Sequence, residues 1–191
     1  MITVHYLDNS RAHRILWLLE ELGLDYQVKV YHRTKEYLAP RELKAIHPLG
    51  KSPVIEDDGR VITESGAITE YLCERHGGGS LVPERGTDDH VRHLQWMHFA
   101  EGSAMPFLVM KLIFSRIPGS APALIRPIAR ALVGGVNDKF LDPNLKLHLD
   151  YIEADTDGFR ILVRDSPVAT STGTFASLIG DIAVRVEHLL A

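Results

Sequence analysis

The residues best placed to do chemistry lie in two short stretches, Lys51-Ser52-Pro53-Val54-Ile55 and Glu64-Ser65-Gly66-Ala67-Ile68, with further hydroxyls at Ser10 and Tyr6. Proline has no N–H for a sheet ladder, so Pro53 marks a strand's first residue, an edge or a bulge. Ser65 stands at a helix entrance, where the first backbone N–H groups have no carbonyl a turn earlier to bond. Such an entrance attracts a carboxylate or phosphate. A proline-led strand edge beside an anion-holding helix start looks like a receptor for a short acidic peptide. Ser10 follows the first strand and precedes the first helix, where a serine commonly caps. Tyr6 continues the inward face begun by Ile2 and Val4, which makes core or subunit contact its default role.

The elements that must position these residues are legible around them. Ile2, Val4 and Tyr6 alternate with Thr3, His5 and Leu7, the period-two pattern of a strand with one face in a core. Asp8-Asn9-Ser10 breaks that strand, and Ala12, Ile15, Leu16, Leu19 and Leu22 then form one helix face that Gly23 ends. Asp25–Tyr31 alternates again, so the opening reads strand–helix–strand with a parallel pair. His32–His47 is charged and loosely helical. Asp58-Gly59, between VIED and RVIT, is a two-residue hairpin signal because a type I′ turn needs φ > 0. Gly66–His76 reads as a short helix and Gly77-Gly78-Gly79-Ser80 as a flexible linker. From Thr87 onward strand alternation stops. Val91, Leu94, Met97/His98, Glu101 and Met105 mark one face of a long helix. Ile128–Leu141 and Leu145–Ala154 are helical too, with Pro118, Pro122, Pro127 and Pro143 punctuating between them.

HPLGKSPVI followed by ESGAITEYL, with SRAHRILWLLEELGLDY upstream, resembles the N-terminal domain of cytosolic glutathione transferases. Within that family the likeness is to the fungal and bacterial branch whose nucleophile is stabilised by a serine. It runs from Ile2 to about Asp150. The resemblance implies an α/β plus all-α fold: a thioredoxin-like, glutathione-binding domain over 1–77, a linker over 78–86, and an all-helical domain over 87–191. It also implies a homodimer that conjugates glutathione, as co-substrate, to small electrophilic hydrophobic compounds. Two alternatives stay open: glutathione-dependent reduction of hydroperoxides at the same site, and a non-catalytic binding or scaffold module.

The implied chemistry is activation of a thiol whose reference pKa is about 8.5. Lowering it by two units corresponds to about 2.7 kcal/mol in favour of the thiolate. A helix N-terminus supplies roughly 0.3–2 kcal/mol and a hydrogen bond to a charged group about 1.5–3, so a hydroxyl at a helix start reaches the figure. SRAHR matches the segment carrying the catalytic hydroxyl, which assigns it to Ser10 with Tyr6 as rival. By the same likeness Ser65 and Glu64 hold the γ-glutamyl end, and Val54 pairs its backbone with the cysteinyl residue like an added strand. Pro53 matches a cis-proline, and Lys51 faces the glycyl carboxylate or is simply a solvated lysine. His47 stands where relatives carry asparagine. His98, Glu101, Met105 and Phe107 are the candidates for the second-substrate pocket, since methionine and aromatic residues suit a forgiving apolar surface.

Composition narrows the rest. The chain has 191 residues, 45% hydrophobic and 24% charged, as ordinary globular proteins are. A net charge of −4 and a pI near 6.2 point away from nucleic acid and anionic membranes. The single cysteine, Cys73, forms no internal disulfide and fits a reducing cytoplasm; mid-helix, it reads as structural. No secretory signal and no long apolar run is present. His90 and His93 at i, i+3 have no third ligand at a telling distance, so no metal is expected. After Glu153 the likeness weakens. Ala169–Thr174 is polar and turn-like, and Ser177 to Asp181 is one residue too long for a capping box. The expectation is an altered or shortened C-terminus and an under-packed helical domain.

Overall fold

In a computed structural model, which describes residues 1–155, the Asp58-Gly59 turn forms as its residue types require. Asp58 and Gly59 have φ of 48° and 76°, and Asp57 pairs with Arg60 across them. The chain divides into two compact units with the boundary between Pro83 and Glu84.

The first unit runs β1 (Ile2–Leu7), α1 (His13–Glu21), β2 (Tyr26–Tyr31), α2 (Arg41–Ile46), β3 (Val54–Asp57), β4 (Arg60–Thr63) and α3 (Ser65–His76). The sheet order is β2-β1-β3-β4. β1 and β2 are parallel, while β3 runs antiparallel to β1 and to β4. This is the thioredoxin-like arrangement. Ile2, Val4, Ile55, Ile15, Leu19, Ile68, Leu72 and Cys73 form the core between the sheet and the α1/α3 layer. The expectation that β1 buries one face is corrected. His5 and Leu7 are each only 2% exposed, because Leu7 packs with Tyr31 and Leu43 on the opposite face. A central strand covered on both sides has no polar face to show in its alternation. The unplaced 32–47 stretch contains α2, six residues entered through Pro40 and anchored by the fully buried Leu43.

Ser10 is not the N-cap of α1. The helix opens after Ala12, and Ser10 lies in the preceding turn with its Oγ accepting the Ala12 N–H at 3.3 Å. Gly23 ends the helix at φ 61°, the left-handed conformation glycine adopts without steric cost.

The second unit, among the described residues, consists of α4 (Asp88–Phe99), α5 (Met105–Ser120), α6 (Arg126–Val136) and α7 (Asp142–Ala154). Thr87 caps α4 by accepting the His90 N–H at 3.2 Å. Wide π turns at Ala100–Ala104 and Asn137–Leu141 join α4 to α5 and α6 to α7. Each is followed by a proline early in the next helix, Pro106 or Pro143. A proline ring collides with the carbonyl four residues back and leaves that carbonyl without a donor, and a wider turn absorbs both defects. Pro143 therefore sits in a continuous helical run, and Pro118 lies inside α5, so neither separates helices as expected.

The expected α4 face is also corrected, within α4 at Val91 and beyond it by the π turn. Val91 is 63% exposed, whereas His93 and Trp96 are buried. Trp96 stacks on Tyr151 at 5.3 Å between ring centres, and Phe99 meets Tyr151 and His148. An extra residue in one turn rotates everything after it, so a 3.6-residue period carried from Val91 to Met105 loses phase. The readings made for Ala169–Thr174 and Ser177–Asp181 lie outside the described residues. Among the described residues no helix is long and apolar enough to cross a membrane.

Candidate functional site

The topology collects the singled-out residues at one end of the sheet. β1 ends at Leu7 just before Ser10, β3 begins at Val54 just after Pro53, and β4 ends at Thr63 just before Glu64-Ser65. Val54 is in register with both His5 and Thr63. Strands are about 4.8 Å apart, so the span from the β1 end to the β4 end is roughly 10 Å, the reach of about three extended residues.

At the β1 end the contacts are explicit. The Ser52–Pro53 peptide bond is cis, as the resemblance implied. The β1–β3 ladder stops at the His5–Val54 pair, because Pro53 has no N–H to continue it. The Ser52 side chain takes over. Its hydroxyl donates to the His5 carbonyl at 2.8 Å and accepts the Leu7 N–H at 3.2 Å. Ser10 Oγ lies 3.2 Å from the same oxygen. Sequence reasoning missed Ser52; the signal was a hydroxyl directly before a proline at a strand mouth, where a ladder donor is absent.

Tyr6 is engaged elsewhere. It is half-buried, with its hydroxyl 3.0 Å from His13 Nε2 and its ring edge-on to that imidazole. Val54 does not fit its assigned role. It is 1% exposed and paired on both flanks, while an added strand needs an open edge.

At the β4 end Glu64 adopts φ 67°, ψ 120° and provides no side-chain cap for α3. A non-glycine residue held there costs on the order of 1–3 kcal/mol, and such outliers concentrate at ligand clamps. Ser65, 5% exposed, is the first residue of α3. Lys51 is exposed in the loop and His47 half-buried at the end of α2. In the second unit His98 is exposed on α4, Glu101 lies in the π turn, and Met105 opens α5. Phe107 packs against Phe140 and His148 at 5.7 and 5.0 Å.

Two polar groups in the first unit were not singled out. Buried His5 bonds the Tyr31 hydroxyl at 2.8 Å and Glu56 at 3.1 Å. Buried Asp57 accepts from the Tyr71 hydroxyl and His76, both at 2.9 Å.

The family model described as "Glutathione S-transferase, N-terminal domain" matches residues 1–74. Glutathione S-transferase 1 of Saccharomyces cerevisiae is 33% identical over 162 residues, 81% of this chain and 69% of that protein. The chain belongs to the glutathione S-transferase family. Glutathione S-transferase 3 of Schizosaccharomyces pombe is 39% identical over 153 residues, 80% of this chain. The chain thus spans slightly under two thirds, 63%, of that relative's length. A glutathione transferase of Phanerochaete chrysosporium, solved in complex with oxidized glutathione, shares the transferase fold at a TM-score of 0.61 and 21% identity, covering 81% of this chain and 67% of that one. The end of the sheet described above is therefore the part of a glutathione S-transferase first unit in which strand ends and helix starts converge.

Proposed function

We propose that the protein conjugates the thiolate of glutathione to small electrophilic, hydrophobic compounds. The observation that carries this reading is the convergence of Ser10, the cis Ser52–Pro53 bond and the Glu64-Ser65 entrance of α3 at one sheet end, spaced for a tripeptide. The start of α3 receives the γ-glutamyl carboxylate on its backbone N–H groups, with Glu64 meeting the ammonium. Lys51 faces the glycyl carboxylate. Ser10 turns its O–H from Ser52 to the sulfur and favours the thiolate. The thiol proton passes to water, and the sulfur lone pair forms a C–S bond as the leaving group departs with its electrons. His98, Glu101, Met105 and Phe107 are the candidates for contact with the electrophile. Homodimeric assembly and residence in the cytoplasm accompany this reading by likeness to the family.

The test is titration of bound glutathione, following thiolate absorbance against pH, in wild type and Ser10→Ala. Binding survives in the mutant, while the thiol ionises about one to two pH units higher, the equivalent of losing one hydrogen bond to a charged group. An unchanged midpoint hands the role to Tyr6 or water. Failure of the wild type to bind glutathione at all overturns the function.

A further inference from the structure

Ser52 has three hydrogen-bonding contacts and only one proton. The His5 carbonyl can only accept, so the Ser52 proton goes there, at 2.8 Å. The Leu7 N–H can only donate, so it occupies one Ser52 lone pair, at 3.2 Å. The remaining contact, Ser10 Oγ at 3.2 Å, then runs with Ser10 as donor. Ser10 Oγ in turn accepts the Ala12 N–H at 3.3 Å. Both halves of the Ser10 hydroxyl are thus committed, and its oxygen is held in one place at the sheet end.

We propose that Ser52 is a positioning residue for the thiolate-stabilising hydroxyl of Ser10. The inference rests on the reading of Ser10 given above. A serine in a turn has three staggered positions for its oxygen. Ser52 selects the one that leans on the β1–β3 junction, and Ala12 N–H fixes it from the other side. Ser52 itself does not drift, because His5 and Leu7 belong to the central strand. When sulfur arrives, the Ser10 O–H bond rotates and the contact with Ser52 loses its proton; the oxygen, already in the chosen position, is then held there by the Ala12 N–H. Ser52 keeps its Leu7 and His5 bonds throughout, so no buried group is left without a partner. Without Ser52, the Ser10 proton bonds water instead. What is lost is therefore the location of the oxygen rather than the strength of a competing bond. A misplacement of about an ångström costs up to about a hundredfold in rate.

The experiment is a double-mutant cycle on bound-thiol ionisation and on conjugation kinetics with a model aryl halide. Ser52→Ala raises the midpoint of the thiol titration and lowers kcat roughly tenfold, with KM for glutathione within about twofold. The same change in a Ser10→Ala background moves neither. Ser52→Thr, which keeps the hydroxyl, restores the wild-type midpoint. Circular dichroism and thermal midpoints are recorded for each variant. Should Ser52→Ala fail to fold, the Ser52→Thr midpoint decides: agreement with wild type supports positioning, and a shift toward the Ser10→Ala value overturns it. If Ser10→Ala leaves the midpoint unmoved, the reading of Ser10 itself falls. If Ser10→Ala moves it and Ser52→Ala does not, or Ser52→Ala moves it equally in both backgrounds, only the positioning role falls.

Discussion

At the scale of residues, hydroxyl partners decide between the two candidate donors. Tyr6 is tied to His13, while Ser10 leans on the loop that leads into β3. Tyr6→Phe therefore leaves the titration of bound thiol within about 0.3 pH unit of wild type, well below the one to two units expected for a lost charged hydrogen bond; a larger rise would return the role to the phenol. Cys73 is the opposite kind of sulfur. Burial, with the Glu74 charge adding to it, pushes its thiol up to about 11. It should resist a disulfide reagent at pH 8 in native protein and react only as the first unit opens; prompt native labelling would contradict this. His5 makes a pH statement about stability. Burial pushes its pKa below the ordinary 6.5 and Lys29 adds to that, outweighing the Glu56 charge and hydrogen bond that raise it. The unfolded chain then binds the proton more readily. The His5 contribution is complete above about pH 6.5 and is lost as pH falls toward the folded-state value. The urea midpoint should drop between pH 7 and pH 5, and less steeply in His5→Gln; equal slopes would remove His5 from the account.

Elements were legible where local conformation dictates them. Asp58-Gly59 announces its hairpin because few other residue pairs accept two positive φ values, and both angles are positive. The Ala12–Leu22 periodicity locates α1 for the same local reason, with Ile15 and Leu19 fully buried. The α4 face was not legible, because it is set by the stacking of Trp96 on Tyr151, a residue of another helix, and the π turn at Ala100–Ala104 ahead of Pro106 then takes Met105 out of phase with it. How α3 is held to the hairpin was not legible either. Burial alone would raise the Asp57 carboxyl, but the hydrogen bonds from His76 and Tyr71, with the charges of His76 and the N-terminus, hold it below the ordinary 3.8. Asp57→Ala strands both donors and should cost about 1–3 kcal/mol by urea unfolding. A change under about 0.5 kcal/mol, within the range of ordinary surface substitutions, would mean the hairpin and α3 hold without this contact.

At the scale of the whole molecule, the described residues of the two units are unequally packed. The first has a continuous core from Ile2 to Cys73. In the second, among the described residues, the buried apolar side chains are Trp96, Val133, Leu141 and Leu145, while Leu124, Leu132, Leu147 and Ile128 are 92%, 68%, 65% and 62% exposed. Less apolar area removed from water means less stabilisation. In Trp17→Phe, Trp96 emission reports the helical unit and Cys73 labelling the first. The emission change should come at lower urea than the labelling, and coincident transitions would refute unequal stability. The stretch from Ile2 to His76, with its strand, turn and helix signals, was enough by itself to point to the family and to the first unit's element order apart from α2, since those signals act over a few residues. Three things needed the folded chain: the Ser52 bridge, the second buried face of β1, and the closure of Val54 on both flanks. Each depends on which strand lies alongside which, and that register is set by packing between segments some 45 residues apart in the chain.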